Sequence, residues 1–424
     1  MDMLKINKLD SDACGVGRIN GRPILVDGVL PEELLEINSL EKHQKYDIVT
    51  DYNLVVKSNN RVNAPCKYYG KCGGCNLQHA SIKYQKQFRI DKVLNNLKYI
   101  AGVDATIDKY VESSCQYSYR NKMVFVVKDC HLGMYRIGTH EFVAIEECII
   151  CNNNISKAFA VVNNWLQEYK VAELNHVAIR SIDNNIAIVL IGMQKPKNIP
   201  KLIENLQKCI TSNFQLVFNY NDAKKDLITN NMELLIGDNI EQEIYGIKYR
   251  ISANSFVQVN SEVCQKLYDS VIDFAKGDNV INAYSGAGLL TAILAKKCKL
   301  VYAVEIVKNA HYNAEKLKQD NKINNMFNFC GKAEEVVPRI LDDGASYTLV
   351  VDPPRSGVDN KLITVINESS NIDKIIYISC NSNSLAKNIK AMTNFKIEAL
   401  QLYNMFPNTS HVETLVVLRR NKLT

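Results

Sequence analysis

Apolar positions in residues 1–60 fall in short runs at 24–26 and 54–56, punctuated by Gly15, Gly17, Gly21 and Gly28. Strand-sized runs between turn residues predict a small β-barrel. The character changes from Asn63 to about Asp91, where cysteines and glycines cluster ahead of a helical stretch at 81–97. From about Tyr117 to Glu243 the pattern is mixed α/β. It predicts two strands around a turn at Asp129, a helix over 155–171, and a hairpin in HVAIRSIDNNIAIVLIG turning at Asn184-Asn185. From Ser261 onward strands and helices alternate. Helices are expected at 261–275, 289–297, 308–321 and 383–390, and strands in NVINAYS, LVYAVEI, TLVVDPP, KIIYISC and ETLVVLRR. That rhythm predicts a parallel, doubly wound sheet, whose ligands sit beyond the carboxyl ends of its strands.

Length and composition add bounds. At roughly 100–200 residues per domain, 424 residues predict two to four domains. The chain is 46% hydrophobic and 23% charged, which excludes a largely disordered protein. Lys and Arg exceed Asp and Glu by 51 to 45, a net charge of +6 that permits a polyanionic partner without demanding one. An odd count of 13 cysteines argues against a secreted disulfide framework and points to reduced thiols used as ligands or nucleophiles. No apolar run approaches the roughly 20 residues of a membrane span, and the first residues lack a signal-peptide core. A cytoplasmic enzyme or binding protein is expected.

Six constellations carry candidate chemistry. In APCKYYGKCGGCNLQH, glycines let the backbone turn tightly enough to aim Cys66, Cys72 and Cys75 at one point. A four-cysteine site needs a further thiolate, with Cys148 and Cys151 as candidates. Cys72-x-x-Cys75 with Cys148-x-x-Cys151 is the alternative zinc-ribbon set, although its halves lie about 70 residues apart against roughly 15–20 in a compact ribbon. In VINAYSGAGLLTAIL a strand ends in Tyr284, Ser285, Gly286, Ala287 and Gly288 before a helix, a turn that admits a ligand close to the backbone. Glu305 ends the next strand, where a carboxylate accepts from ribose hydroxyls. Lacking a third glycine, the motif suits the adenosine of S-adenosylmethionine better than a dinucleotide. Asp352 ends the strand before Pro353-Pro354. Cys380 ends an apolar strand ahead of a helix, where the helix dipole is expected to lower a thiol pKa and supply a nucleophile. His411 and Glu413 precede the last strand, with Glu413 the better proton acceptor beside a thiolate. Upstream, Phe256 offers a face for a base to stack on and Gln258 an amide for its polar edge.

Taken in order, these segments resemble the RNA uracil-5-methyltransferase family over almost the whole chain. The family pattern Cys-x5-Cys-Gly-Gly-Cys, Phe-x-Gln-x-Asn, Ser-Gly-x-Gly, Asp-Pro-Pro-Arg-x-Gly, Ser-Cys-Asn and Phe-Pro-x-Thr-x-His-x-Glu occurs here in that order. The resemblance implies a multi-domain α/β protein of three parts. These are a TRAM domain of OB-like β-barrel type (1–60), a central RNA-binding domain with a [4Fe–4S] cluster (61–245), and a Rossmann-like methyltransferase domain (246–424). It implies cluster ligands at Cys66, Cys72, Cys75 and Cys148, the nucleophile at Cys380 and the general base at Glu413. Cofactor contacts fall on Gln258, Tyr284, Gly286, Gly288, Glu305 and Asp352, and base contacts on Phe256 and Asp352. Asn282 stands where the family often has Asp, Leu289 replaces a polar residue after Ser-Gly-x-Gly, and Cys151 is a spare thiol beside Cys148. The implied reaction is methylation of uridine C5 from S-adenosylmethionine by a monomer. Members with both a TRAM domain and a cluster mostly act on large-subunit rRNA, so 23S rRNA is the expected partner, reached through patches such as Tyr119-Arg120-Asn121-Lys122. A tRNA substrate is the alternative. A non-catalytic, zinc-containing RNA-binding protein is the rival from another class.

Overall fold

The computed structural model describes residues 2–183, 185–238, 240–251, 258–342 and 344–421. Three principal sheets follow one another along the chain. In the first, Asp2–Lys5 pairs antiparallel with Leu34–Lys42, and Lys8–Leu9 pairs antiparallel with Gly15–Ile19. The strand order between them runs through Asp47–Val56 and Arg22–Val26. The two end strands are thus consecutive pieces of one segment, and the sheet curls around a core of Leu4, Ile6, Ile24, Val26 and Leu35. Arg61 ties the next segment to it, donating to the buried Glu33 carboxylate at 2.7 Å and to the Gly28 carbonyl at 2.8 Å.

The second sheet has seven strands, in the order Phe142–Ala144, His131–Tyr135, Lys122–Lys128, Leu174–Ile182, Asn185–Gly192, Phe214–Tyr220 and Met232–Ile236. Asp129 and Cys130 both take positive φ (51° and 61°), the left-handed pair of a tight hairpin. In the longer hairpin Ile182 pairs with Asn185, so Asn185 already belongs to the second strand. The expected turn at Asn184-Asn185 is thus corrected at Asn185, and Asn184 lies outside the described residues. The helices Asn153–Glu168 and Ile199–Cys209 bury Phe159, Trp165, Leu202 and Leu206 against this sheet.

The third sheet has eight strands, in the order Met326–Cys330, Leu300–Glu305, Asn279–Ala283, Tyr347–Val351, Ile372–Ser379, Glu413–Arg420, Phe395–Tyr403 and Lys109–Val111. Its pairings are parallel except the two made by Glu413–Arg420. The expected all-parallel sheet is corrected here. The last strand follows Phe395–Tyr403 without a crossover helix, and so returns in the opposite direction.

Packing also cuts across the expected division at residue 245. Ser81 caps the helix Ile82–Asn96, accepting from the Tyr84 amide at 3.2 Å. That helix places Val93, and Leu97 just beyond it, in one core with Ile281, Leu385 and Leu402. Lys109–Val111 then adds an edge strand to the same sheet. Residues 82–111 thus pack as part of the C-terminal unit. No helix among the described residues is long and apolar enough to cross a membrane.

Candidate active site

The reversed last strand decides the geometry of the site. Ser379 pairs with Thr414, which sets Cys380, just past the end of its own strand, beside Glu413 at the start of the next. Val351 pairs with Tyr377 in parallel, so Asp352 leaves its strand at the same edge. A parallel last strand of eight residues, rising about 3.3 Å per residue, would carry Glu413 to the far side of the sheet.

Cys380, Asp352, Glu413, Gln258, Tyr284 and Gly286 line one cavity of about 530 Å³. Gln258 is held through its backbone carbonyl, which accepts from Asn121 Nδ2 at 3.0 Å. Asn121, expected from the sequence only as part of a basic patch, is therefore a brace of the site. The patch itself is corrected: Tyr119 and Asn121 are buried, the Tyr119 hydroxyl donates to the Pro407 carbonyl at 3.1 Å, and burial pushes Lys122 down to about 8. Phe256 lies outside the described residues.

Two loops are tied together beneath Cys380. Asn381 Nδ2 and Ser384 Oγ both donate to the Arg355 carbonyl, at 3.0 and 2.9 Å. The segment carrying Glu413 is gripped from below. The Asn408 amide donates to Gln85 Oε1 at 3.1 Å, Arg89 donates to the Thr409 carbonyl at 2.8 Å, and Asn76 Oδ1 accepts from the Ser410 amide at 2.8 Å.

Electrostatics correct one expectation. Cys380 lies just before the helix Ser382–Ala391, yet its thiol is raised above its ordinary pKa. Burial is the largest cause; the Glu413 charge adds to it, and Arg355 opposes it. Burial raises Asp352 to about 7, and burial together with the Asp352 charge holds Glu413 well above the carboxylate range. His411 borders the same cavity, lowered to about 4 by burial and by Arg355, and is neutral at pH 7.

The turn after Asn279–Ala283 has the form expected of a cofactor cradle. Tyr284 (φ 62°) and Gly286 (φ 57°) are left-handed, and at Gly288 (φ 83°) an added Cβ would meet Ala314 Cβ at 2.7 Å. Gly288 thus lets the helix Leu289–Ala295 approach its neighbour rather than lining the cavity itself. Glu305 accepts from the Gly286 and Val307 amides at 2.8 and 2.7 Å and lines a second cavity, which meets the first at Tyr284 and Pro354. Ser285 Oγ is buried with no protein partner, an orphaned polar atom of the kind a ligand satisfies. Asn282 donates to Thr291 Oγ1 at 2.8 Å and so ties strand to helix without a carboxylate. Leu289 lines the first cavity as an apolar wall.

Cys66, Cys72, Cys75 and Cys148 line one small pocket walled by Tyr68, Met123, Ile145 and Ile150. At Gly73 an added Cβ would come within 2.9 Å of the Tyr135 carbonyl, so glycine lets the cysteine loop lie against the hairpin. Cys151 does not line the pocket; it is buried in the core of the second sheet. Hydrogen bonding with Cys151 lowers Cys148 to about 7, while burial raises Cys72 to about 11 and Cys75 to about 12. Among the described residues, no three His, Cys, Asp or Glu side chains are arranged to hold a single metal ion. Four thiols around an apolar hollow nonetheless fit a polynuclear iron–sulfur group in donor chemistry.

Fold and cavity together define a doubly wound enzyme with a cysteine and a carboxyl pair at the carboxyl edge of its sheet. The family described as tRNA (uracil-5-)-methyltransferase matches residues 83–421. An RNA methyltransferase of Listeria monocytogenes is 33% identical over 446 residues, covering 99% of this chain and 97% of that protein. One of Caldanaerobacter subterraneus is 32% identical over 439 residues, covering 98% and 97%. The crystal structure of Pyrococcus abyssi tRNA (uracil-54, C5)-methyltransferase, in complex with S-adenosyl-L-homocysteine, shares the fold. Its TM-score is 0.81 at 23% identity, over 98% of this chain and 99% of that one. The chain belongs to the tRNA (uracil-5-)-methyltransferase family. Its activity is that of an S-adenosylmethionine-dependent RNA uracil-C5 methyltransferase.

Proposed function

We propose that Cys380 adds to C6 of a uridine flipped out of an RNA strand, and that Glu413 removes the C5 proton after methyl transfer. The observation that carries this reading is the register of the last strand, which brings Cys380 and Glu413 to one cavity with Asp352 and Gln258. Uracil C5 is a weak nucleophile. Addition of the Cys380 thiolate at C6 leaves an enolate whose C5 attacks the methyl group. The C5 proton then leaves to Glu413, and expulsion of Cys380 restores the ring. S-adenosylmethionine, when bound, would supply the methyl group, its sulfonium keeping the electron pair of the broken bond as S-adenosylhomocysteine. Tyr284, Ser285, Gly286 and Gln258 would cradle it, Glu305 would exchange its amide contacts for ribose hydroxyls, and Asp352 would face both cofactor and base.

The high pKa values fit this order of events. A proton on Glu413 spares the forming thiolate a charged neighbour. Once sulfur is bonded to C6 its charge is gone, and Glu413 can release its own proton to solvent and, as the carboxylate, take the one from C5. Cys380→Ala is expected to lower methyl transfer to RNA by roughly 10³-fold or more while retaining cofactor binding. Full activity in that variant would overturn the mechanism.

In this reading the first sheet is the TRAM domain. Support comes from the shared end segment that closes it and from its single parallel pairing, Arg22–Val26 with Asp47–Val56. Residues 61–245, less the helix and edge strand lent to the C-terminal unit, form the RNA-binding domain. Cys66, Cys72, Cys75 and Cys148 would hold a [4Fe–4S] cluster as a structural staple. Anaerobic purification should yield iron, and stoichiometric zinc without iron would contradict the assignment. The pairing of TRAM domain and cluster supports 23S rRNA as substrate. A tRNA substrate has its own support: the Pyrococcus abyssi enzyme, named for uracil 54 of tRNA, shares the fold over 98% of this chain. Mapping 5-methyluridine in both RNAs, with and without the gene, separates the two.

A further inference from the structure

A third cavity, of about 430 Å³, lies on the other side of Cys380. It forms where the first sheet's connecting loop, with Asp12, meets the C-terminal unit, which contributes Lys92 from the helix Ile82–Asn96 together with Arg355, Lys387 and His411. Its cations are unevenly opposed. Lys92 donates to the Ser410 carbonyl at 3.1 Å and is half-buried. The Arg355 and Lys387 side chains are exposed, and neither makes a hydrogen bond or ion pair with a protein group among the described residues. Asp12 is the lone carboxylate lining the space among those residues.

Covalent geometry says what should enter it. Uracil C6, the atom Cys380 attacks, is bonded to N1, and N1 carries the ribose. A base seated in the catalytic cavity with C6 on Cys380 must send its sugar, and the phosphates on either side of that sugar, out past the cysteine. The cationic cavity bordering Cys380 is on that route.

We propose that Lys387 and Arg355, backed by Lys92, form a binding subsite for a backbone phosphate adjoining the flipped uridine. The subsite rests on the reading of Cys380 as nucleophile. It holds the nucleotide by its backbone, without reading sequence, while the catalytic cavity reads the base. It also gives the +6 chain a local charge concentration at the point of use.

The test uses the full-length enzyme, labelled S-adenosylmethionine, and total RNA from cells lacking the gene, so that the target uridine is present whichever RNA carries it. Lys387→Gln should raise KM for RNA about tenfold, with the loss carried by KM rather than kcat, and Lys387→Arg should restore it. The slope of log kcat/KM against log salt should flatten by about 0.7 in Lys387→Gln, one phosphate contact to a single strand. The double variant with Arg355→Gln should flatten it further. Lys387 also borders the cavity of Glu305, so S-adenosylhomocysteine affinity is measured in parallel and should not change. An unchanged KM and salt slope, failure of arginine to rescue, or a loss confined to cofactor affinity would each overturn the subsite. If the wild-type chain transfers no methyl group to this RNA, the reading of Cys380 falls first and the subsite with it. If it does and Lys387→Gln is indistinguishable from it, only the subsite falls.

Discussion

The catalytic cavity and the thiol pocket both gather residues far apart in the sequence, but by different means. Cys380, Asp352 and Glu413 stand at the ends of adjacent strands, and ladder pairings such as Ser379 with Thr414 fix where each one emerges. Cys66, Cys72 and Cys75 sit in a loop and Cys148 in another, held by turns and by the close approach at Gly73. Strand register positions a side chain without outside help. Loops need a bond between them, and a cluster would supply it. The two regions also touch. Asn76, next to Cys75, donates to Ser410 Oγ at 3.0 Å and accepts from the Ser410 amide, three residues before Glu413. The Leu77 amide donates to the Asn408 carbonyl at 3.0 Å. Whatever orders the cysteine loop therefore steadies the segment that carries Glu413.

This contrast can be broken from either side. Among changes that leave Cys380 and Glu413 in place, Asp352→Asn should have the largest effect, lowering kcat/KM by roughly 10²-fold. Its pH profile carries the sharper information. Glu413 must lose its proton once the adduct has formed and its pKa is raised, so wild-type kcat should climb with pH through and above neutrality. Removing the Asp352 charge, which raises Glu413, should move that limb to lower pH. A limb that stays in place would separate the two carboxyls. Cys148→Ala should come next, losing the iron of the proposed cluster and with it about tenfold in kcat through the loosened loop. Asn76→Ala should reproduce most of that kcat loss with iron retained; an unaltered kcat would show that the two regions do not communicate. Cys151→Ala should be mildest. It removes a small buried group at a cost of about 1 kcal/mol in stability, read from denaturant unfolding, and leaves iron content unchanged.

Much of this arrangement is visible in the sequence, for identifiable reasons. The alternation after Ser261 marks its helices and strands because each strand is a dense apolar run between turn residues. The helix Ser261–Ala275 has the expected bounds. Direction is a different matter. ETLVVLRR is apolar whichever way it runs, and its reversal depends on the absence of a crossover helix after Phe395–Tyr403. The edge strand Met326–Cys330 escapes notice because it is short and mostly exposed, and the helix Ala333–Leu341 because Pro338 stands inside it. The helix at 82–96 is legible as a helix, but nothing in its pattern says that it packs on the C-terminal unit through Arg89 and Val93. The motif around Cys380 is legible in the sequence; its raised pKa comes from burial beside Glu413, a tertiary fact. Arg355 is legible only as a member of the Asp-Pro-Pro-Arg-x-Gly motif and Lys387 belongs to no motif; the fold sets both beside the cysteine.

The central claim is that Cys380 and Glu413 act in turn on one uracil ring. Glu413→Gln should form the C6 adduct and transfer the methyl group but fail to release the product. Incubated with RNA from cells lacking the gene and S-adenosylmethionine, then digested with nuclease and protease, this variant should yield a peptide whose Cys380 carries the mass of a methylated uridine nucleotide. An unmodified Cys380 peptide in Glu413→Gln, with turnover equally lost, would contradict the account.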